Sequence, residues 1–447
     1  MEAVDSTAIN TAIPAMANSL SVDPVDLKVA LISYLLSLAM FIPISGWLAD
    51  RFGAKQVFIS ALAVFTLSSL WCGLSHTLTE LVIARFVQGI GGSLGLPVGR
   101  LIIVRTFKSQ DFITTMNRVV ILGALGMMLG PMIGGLLTHY FSWQWIFWVN
   151  LPIGTFAIGL AYYQLDKPPS EPTYPLDKIG FVLFGGGLSA FTFGLSALSE
   201  TIIHHTLALN ILVGSLFLFA AYLWHSLKSP HPIVKTRLLR IRTFQIAVIG
   251  SLTSRLGFGG IPFLIPLLLQ IGFGLTPQLA GFLLAPVALG VLCVRPFTLP
   301  FLKRLGYRRS LITTTFFASM AIWMFVLIDI NTPLYYIACL TFFYGIIISL
   351  QYSAMNSLAY ADMPAENLSA ATSITGTLQQ VAQSFGVAIS ALFIRLFLYL
   401  DSTQLTLTPA ILHKTFFAIG FFTLLSGFVF LRLKPEDGRQ LLLGTVP

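Results

Sequence analysis

The sequence predicts an all-α membrane protein, with two six-helix bundles flanking a central helical hairpin and about fourteen transmembrane helices in all. Three observations carry this. Hydrophobic residues make up 56% of the 447 and charged residues 10%, with mean hydropathy +0.84, where a soluble chain carries about 25% charge. Fourteen apolar stretches follow one another across short turns, each near the roughly 20 helical residues that cross the hydrocarbon core. The basic residues, finally, keep to alternate loops. Arg51 and Lys55, Arg105 and Lys108, Lys167 and Lys178, the run Lys228, Lys235, Arg237, Arg240, Arg242, the cluster Lys303, Arg304, Arg308, Arg309 and the tail residues Arg432, Lys434, Arg439 make eighteen of the 26 Lys and Arg, while the opposite loops hold only Lys28 and Lys414. Cations gather on the cytoplasmic side, so both termini are expected there. The net charge of +9 then reflects topology and contact with membrane lipids and is not a nucleic-acid footprint.

The first stretch, near 3–20, holds Asp5 and Asn10 in "VDSTAINTAIP" (4–14). With Met1 as the start, Asp5 would lie only about 6 Å into its helix. We expect helix 1 to be truncated, with about ten to fifteen residues ahead of Met1 completing the span. The second stretch, near 29–48, runs into "GWLADRFGAK" (46–55). Gly53 permits a tight turn there, and Asp50 is a carboxylate for which the loop-charge rule gives no reason. Gly46, Asp50, Arg51, Gly53 and Lys55 are candidates for a conformational latch, with a solvated loop as the alternative. A third stretch, near 57–75, leads to the fourth, near 79–104, which places Arg85 well inside a span. A lone guanidinium there costs at least about 2.5 kcal/mol unless it is paired or hydrated. Asp5 is nearly the only carboxylate placed to pair with it, either as a functional partner or as a static tie between two helices. In the fifth stretch, near 117–138, "GMMLGPMIGG" (126–135) sets Gly126, Gly130 and Gly134 on one face, where a neighbouring backbone can come close. Pro131 permits a bend beside them, and Gly135 closes the run. Such a face suits a helix that slides against its neighbour, and static packing is the alternative. The sixth stretch, near 143–163, opens with "WQWIFWVNLPIG" (143–154).

Two loops stand out by composition, the Pro-rich 164–178 and the basic 225–243. They bracket the seventh and eighth stretches, near 179–199 and 206–225, and divide the chain into 1–165, a central pair with its connectors at 166–240, and 241–447. A faint repeat supports the division, since "LADRFGAK" (48–55) and "LKRLGYRR" (302–309) each follow the second stretch of their half. The ninth stretch, near 244–270, holds Arg255 at mid-depth. It either recognises an acidic group on a substrate or is bonded to carbonyls of "GFGGIPFLIP" (257–266), which is expected to be unwound. The tenth to fourteenth lie near 279–301, 310–329, 333–357, 368–398 and 413–433. Asn10, Gln88, Asn356, Gln379 and Gln383 are candidates to line a cavity, although interhelical hydrogen bonding is the commoner use of such amides. Arg100, Arg118, Arg295 and Arg395 lie closer to span ends and are expected to snorkel. Cys72, Cys293 and Cys339 have no metal-ligand spacing and read as small apolar packers. No phosphate-binding loop of the GxxxxGK[ST] type appears, which disfavours an ATP-driven pump.

Several of these patterns, in this order, resemble motifs of the major facilitator superfamily. "GWLADRFGAK" resembles the loop signature between its helices 2 and 3, and "LVIARFVQGIGGS" (81–93) its helix 4 motif. "GMMLGPMIGG" is similar to the helix 5 motif associated with antiporters. "VDSTAINTAIP" and "WQWIFWVNLPIG" look like the fourteen-helix drug:proton antiporter branch. The resemblance implies a major facilitator fold whose two bundles rock about a midplane site. It further implies a transporter and not an enzyme, exporting amphiphilic drugs or related molecules with the proton gradient as its energy source and no cofactor or metal. Asp5 and Arg85 would couple protons, as a carboxylate that gains and loses a proton when its surroundings wet and dry. A bacterial-type inner membrane is the implied location, with protons, lipids and a small-molecule substrate as partners and either an accessory efflux component or a monomer as the assembly. Arg255 favours an organic anion or carboxylated metabolite as the alternative substrate. An uptake symporter and a non-transporting sensor on the same fold are the remaining readings.

Overall fold

The structure, a computed structural model, describes residues 1–106, 109–165, 174–198, 205–364, 367–401 and 406–439, with side chains left out at 104–106, 109–118, 120, 121, 124, 205 and 369. Lys108, Lys167 and His204, and the side chains of Arg105 and Arg118, lie outside what is described. Among the described residues the chain is all helix and turn, the arrangement in which a chain in lipid bonds its own backbone polar groups. The helices are α1 (Glu2–Leu20), α2 (Lys28–Phe41), α3 (Ser45–Phe52), α4 (Ala54–Leu74), α5 (Leu78–Thr106), α6 (Ser109–Tyr140), α7 (Trp145–Trp148) and α8 (Asn150–Gln164). They continue with α9 (Lys178–Ala197), α10 (His205–Lys228), α11 (Arg242–Phe258), α12 (Ile261–Leu267), α13 (Pro277–Met324), α14 (Leu334–Ala359), α15 (Leu368–Leu400) and α16 (Pro409–Phe430). Helix lies over each of the fourteen apolar stretches, and eleven of the described helical segments are long and apolar enough to cross a membrane. The protein is a multi-pass membrane protein.

Three junctions shape the spans. The second span is α2 and α3 joined by one 3-10 turn, Ile42–Ile44, because Pro43 supplies no amide for the α ladder. The ninth breaks at Gly259 and Gly260 between α11 and α12 and then passes into a π turn, Leu268–Gly272. The stretch 257–266, expected to be unwound, is therefore mostly helical, with a two-residue break. The tenth and eleventh spans, α13 by its range, are two helices that meet at a kink where Gly306 is non-helical (φ 71, ψ 165), between the two stretches read from the sequence. Gly53, between α3 and α4, has a similar conformation at φ 89, ψ 132, a region that strains a side-chain-bearing residue. Each copy of the loop repeat therefore turns on its glycine.

The chain forms two compact units. The first comprises Met1–Thr192, Asn210–Ile233 and Thr276–Gly281; the second comprises Phe193–Leu209, Val234–Leu275 and Phe282–Pro447. Most of α9 and α10, set apart as a central pair in the sequence, clusters with the first unit. In that unit α5 packs on α2 and α4, α6 on α1, and α8 on α4. Glycines set the α5 contacts. A Cβ at Gly89 would stand 2.7 Å from the Tyr34 carbonyl of α2, and one at Gly91 2.6 Å from the Phe65 amide nitrogen of α4. Close helix approach at small residues is the usual way membrane helices gain packing, since lipid tails offer no hydrophobic drive. In the second unit α11 packs on α14, α15 and α16. The Gly259 break lies on Gly386 of α15, where a Cβ would meet the Arg255 carbonyl at 2.6 Å.

Candidate functional site

The first unit buries a charged cluster. Asp5, one turn into α1, is 0% exposed, and Arg85 on α5 is 1% exposed. Arg85 Nη1 donates to Asp5 Oδ2 at 2.6 Å and also to the Gln88 side-chain carbonyl. Gln88, one turn further along α5, returns its amide to Asp5 Oδ1 at 3.1 Å and to Ser69 Oγ of α4 at 2.8 Å. Asn150, the first residue of α8, donates to the same Asp5 Oδ1 at 2.9 Å. The guanidinium lies 4.2 Å from the Tyr34 ring centroid and 5.6 Å from that of Phe147. One carboxylate thus receives a cation and two amides from two helices, and aromatic rings flank the cation. Removal of either charge would leave the other buried without its counter-charge, at about 3 to 5 kcal/mol. The arrangement holds a carboxylate and a guanidinium together inside the protein, each as the other's counter-charge.

Asn150 and Ser69 were not among the sequence candidates. Asn150 lies several residues inside the sixth stretch, and the only signal was its isolation within the apolar run "WVNLPIG" (148–154). Asn10, which was a candidate, lies five residues beyond Asp5 and so about 140° round the helix. It is half-buried and forms no hydrogen bond with the cluster among the described residues.

The glycine face of α6 is turned onto α1, the helix that carries Asp5. A Cβ at Gly126 would stand 3.1 Å from the Ala3 Cβ; at Gly130 it would overlap the Thr7 hydroxyl and lie 3.0 Å from the Val4 carbonyl; at Gly134 it would lie 2.6 Å from Thr11 Oγ1. Thr7 and Thr11 turn their hydroxyls back onto the carbonyls of Ala3 and Ala8, each at 2.8 Å, so α1 offers α6 a face without free donors. Gly135 meets the Pro277 carbonyl in the short stretch that clusters with this unit. Pro131 stands inside α6, one residue beyond Gly130.

Of the loop candidates, Gly46 and Arg51 are exposed and Asp50 is half-buried on α3. Lys55 Nζ donates to the Tyr162 carbonyl at 2.7 Å and also to the Leu165 carbonyl. Its charge sits on the carbonyl end of α8, where a helix favours cations. A greasy cavity of about 400 Å³ also lies in this unit, with Phe58, Phe65, Gly91 and Leu96 on its wall and Glu2 and Arg100 as the charged side chains there.

The second unit gathers the other candidates. Arg255, 8% exposed, stacks its guanidinium 3.9 Å from the Tyr352 ring centroid, and its Nε donates to Ser251 Oγ at 3.2 Å. The Gly259 carbonyl, in the stretch 257–266 offered as its alternative partner, accepts from Gln383 at 2.8 Å. Gln379 donates to Asn356 Oδ1 at 2.8 Å. Arg100 and Arg295 are exposed and Arg395 is half-buried. The three cysteines are free, Cys72 buried and Cys293 and Cys339 exposed. No group of three or more potential metal ligands occurs among the described residues.

Comparison with known proteins places this geometry in context. The model of the Major Facilitator Superfamily matches residues 1–387. A protein of Escherichia coli O157:H7 named "Putative multidrug resistance protein MdtD" is 34% identical over 444 residues, which cover 98% of this chain and 93% of that protein. The protein of the same name from Shigella flexneri is equally similar. Among solved structures, an auto-inhibited POT family peptide transporter superposes with TM-score 0.68 at 16% identity, covering 98% of this chain and 96% of that one. A D-xylose-proton symporter does so with TM-score 0.66 at 13% identity, covering 98% and 95%. At such identities the two structures speak to fold alone.

Proposed function

The chain belongs to the Major Facilitator Superfamily, and from that premise we propose that it is a proton-driven secondary transporter exporting amphiphilic small molecules by alternating access. The observation that carries the proposal is the buried Asp5–Arg85 pair at 2.6 Å. A carboxylate so placed is costly to keep in a span and is the kind of group through which proton relays operate. Protonation of Asp5 frees Arg85, and the charge change biases one conformational state against the other. The α6 glycine face lies on α1, so movement of α6 would act directly on the helix that bears the carboxylate. The loop 46–55 serves as the latch, with Lys55 on the α8 carbonyls as one of its catches. Export is favoured by the similarity to proteins named for multidrug resistance and by the antiporter-like run 126–135.

In this reading the protein works in a bacterial-type inner membrane with both termini in the cytoplasm. It takes its energy from the proton gradient and needs no cofactor, its partners are substrate, protons and lipid, and it functions as a monomer or beside an accessory efflux component. The test is uptake of dyes into inverted vesicles with an acid interior. Gradient-dependent accumulation that a protonophore abolishes supports the reading, whereas accumulation that ignores the gradient contradicts it.

A further inference from the structure

Arg255 sits in the middle of the ninth span, and among the described residues no acid answers it. The described carboxylates of its unit are all occupied at helix ends or exposed there. Asp329 bonds Thr332 and the Asn331 amide, Asp362 accepts from Thr243 Oγ1, Asp401 pairs with Lys414 at 3.0 Å, Asp437 lies 3.5 Å from Arg242, and Glu436 is exposed in the tail. Among the described residues Arg255 forms no ion pair; its Nε donates to the neutral Ser251 hydroxyl and its guanidinium stacks on the Tyr352 ring. A guanidinium has five donors, so these leave part of the fork for another acceptor. The surroundings are polar but uncharged. Ser251 and Arg255 stand one turn apart on α11, Tyr352 and Asn356 on α14, and Gln379 and Gln383 on one face of α15; apart from Arg255 all are half-buried. The cluster is tied by Gln379 to Asn356 and by Gln383 to the Gly259 carbonyl at the α11 break.

We propose that this cluster is an anion-recognition site, in which Arg255 binds the carboxylate of a substrate while Tyr352 flanks the substrate's apolar body. The proposal deepens the export reading by naming the substrate class. A single guanidinium supported only by hydroxyls and amides neutralises one charge, which selects a monocarboxylate over a phosphate dianion. The half-buried ring of Tyr352, already stacked on the cation, favours an aromatic body beside the carboxylate.

The test is equilibrium binding of 1-naphthoate and of the uncharged 1-naphthamide to the purified full chain in detergent, which requires no transport. The wild type is expected to prefer naphthoate by about tenfold or more, the scale of one charge-assisted fork. Arg255→Gln should abolish the preference. Arg255→Lys, which keeps the charge and controls for folding, should retain part of it, and Tyr352→Leu should weaken both ligands. Asp5→Asn should leave the preference intact. Equal binding of the two ligands, no measurable naphthoate binding, or a preference that survives in Arg255→Gln would each overturn the proposal. Dye transport into inverted vesicles carrying the same protein, measured separately, keeps the readings apart, because wild type that binds naphthoate but moves nothing with the gradient loses the export reading and keeps the site.

Discussion

At the scale of single residues, the Asp5 cluster divides its work unequally. Gln88 bonds Arg85, Asp5 and Ser69, while Asn150 has one bond to Asp5. Each buried polar atom left without a partner costs about 1 to 3 kcal/mol. Gln88→Leu should therefore lower thermal stability in detergent more than Asn150→Leu; equal losses would show that the network does not carry the energy. Asp5 and Arg85 could be matched from sequence because acids are so scarce inside spans that a buried cation has few possible partners. Asn150 could not, since its isolation among apolar residues does not say which way it turns. Arg255 was visible as a buried charge, but its stacking on Tyr352 depends on how α11 meets α14, and composition is silent about that.

At the scale of elements, glycine positions set both the helix contacts and the turns. A methyl at Gly130 would strike Thr7 and approach the Val4 backbone, whereas one at Gly123 on the same helix meets nothing within 4 Å. Gly130→Ala should cost about 1 to 3 kcal/mol by overpacking and slow transport, with Gly123→Ala near wild type. Similar effects of the two would remove any special role for the α6 face. The repeat loops make a second case. Gly53→Ala forces φ 89 on a side-chain-bearing residue and should cost about 1 to 3 kcal/mol, and Gly306→Ala likewise, while Gly46→Ala has open space and should be neutral in thermal unfolding. The spans themselves were legible because lipid demands long apolar helices. Hydropathy separated the two helices that meet at the non-helical Gly306, whereas the break at Gly259 was legible only from glycine and proline content, which extended it over 257–266 when two residues are involved.

At the scale of the whole molecule, the proposed transporter would couple a carboxylate in the first unit, as the group that takes protons from the gradient, to a cation in the second, as the group that binds substrate. The placement of charge along the chain made the multi-pass architecture readable, as a membrane-spanning chain sorts its few charges by depth. Which residues move together could not be read that way. The most direct test compares wild type with Asp5→Asn in proteoliposomes, measuring uphill transport of a substrate under an imposed pH gradient alongside counterflow exchange without one. The account predicts that Asp5→Asn loses uphill transport and keeps counterflow. Undiminished gradient-driven accumulation in Asp5→Asn would contradict it.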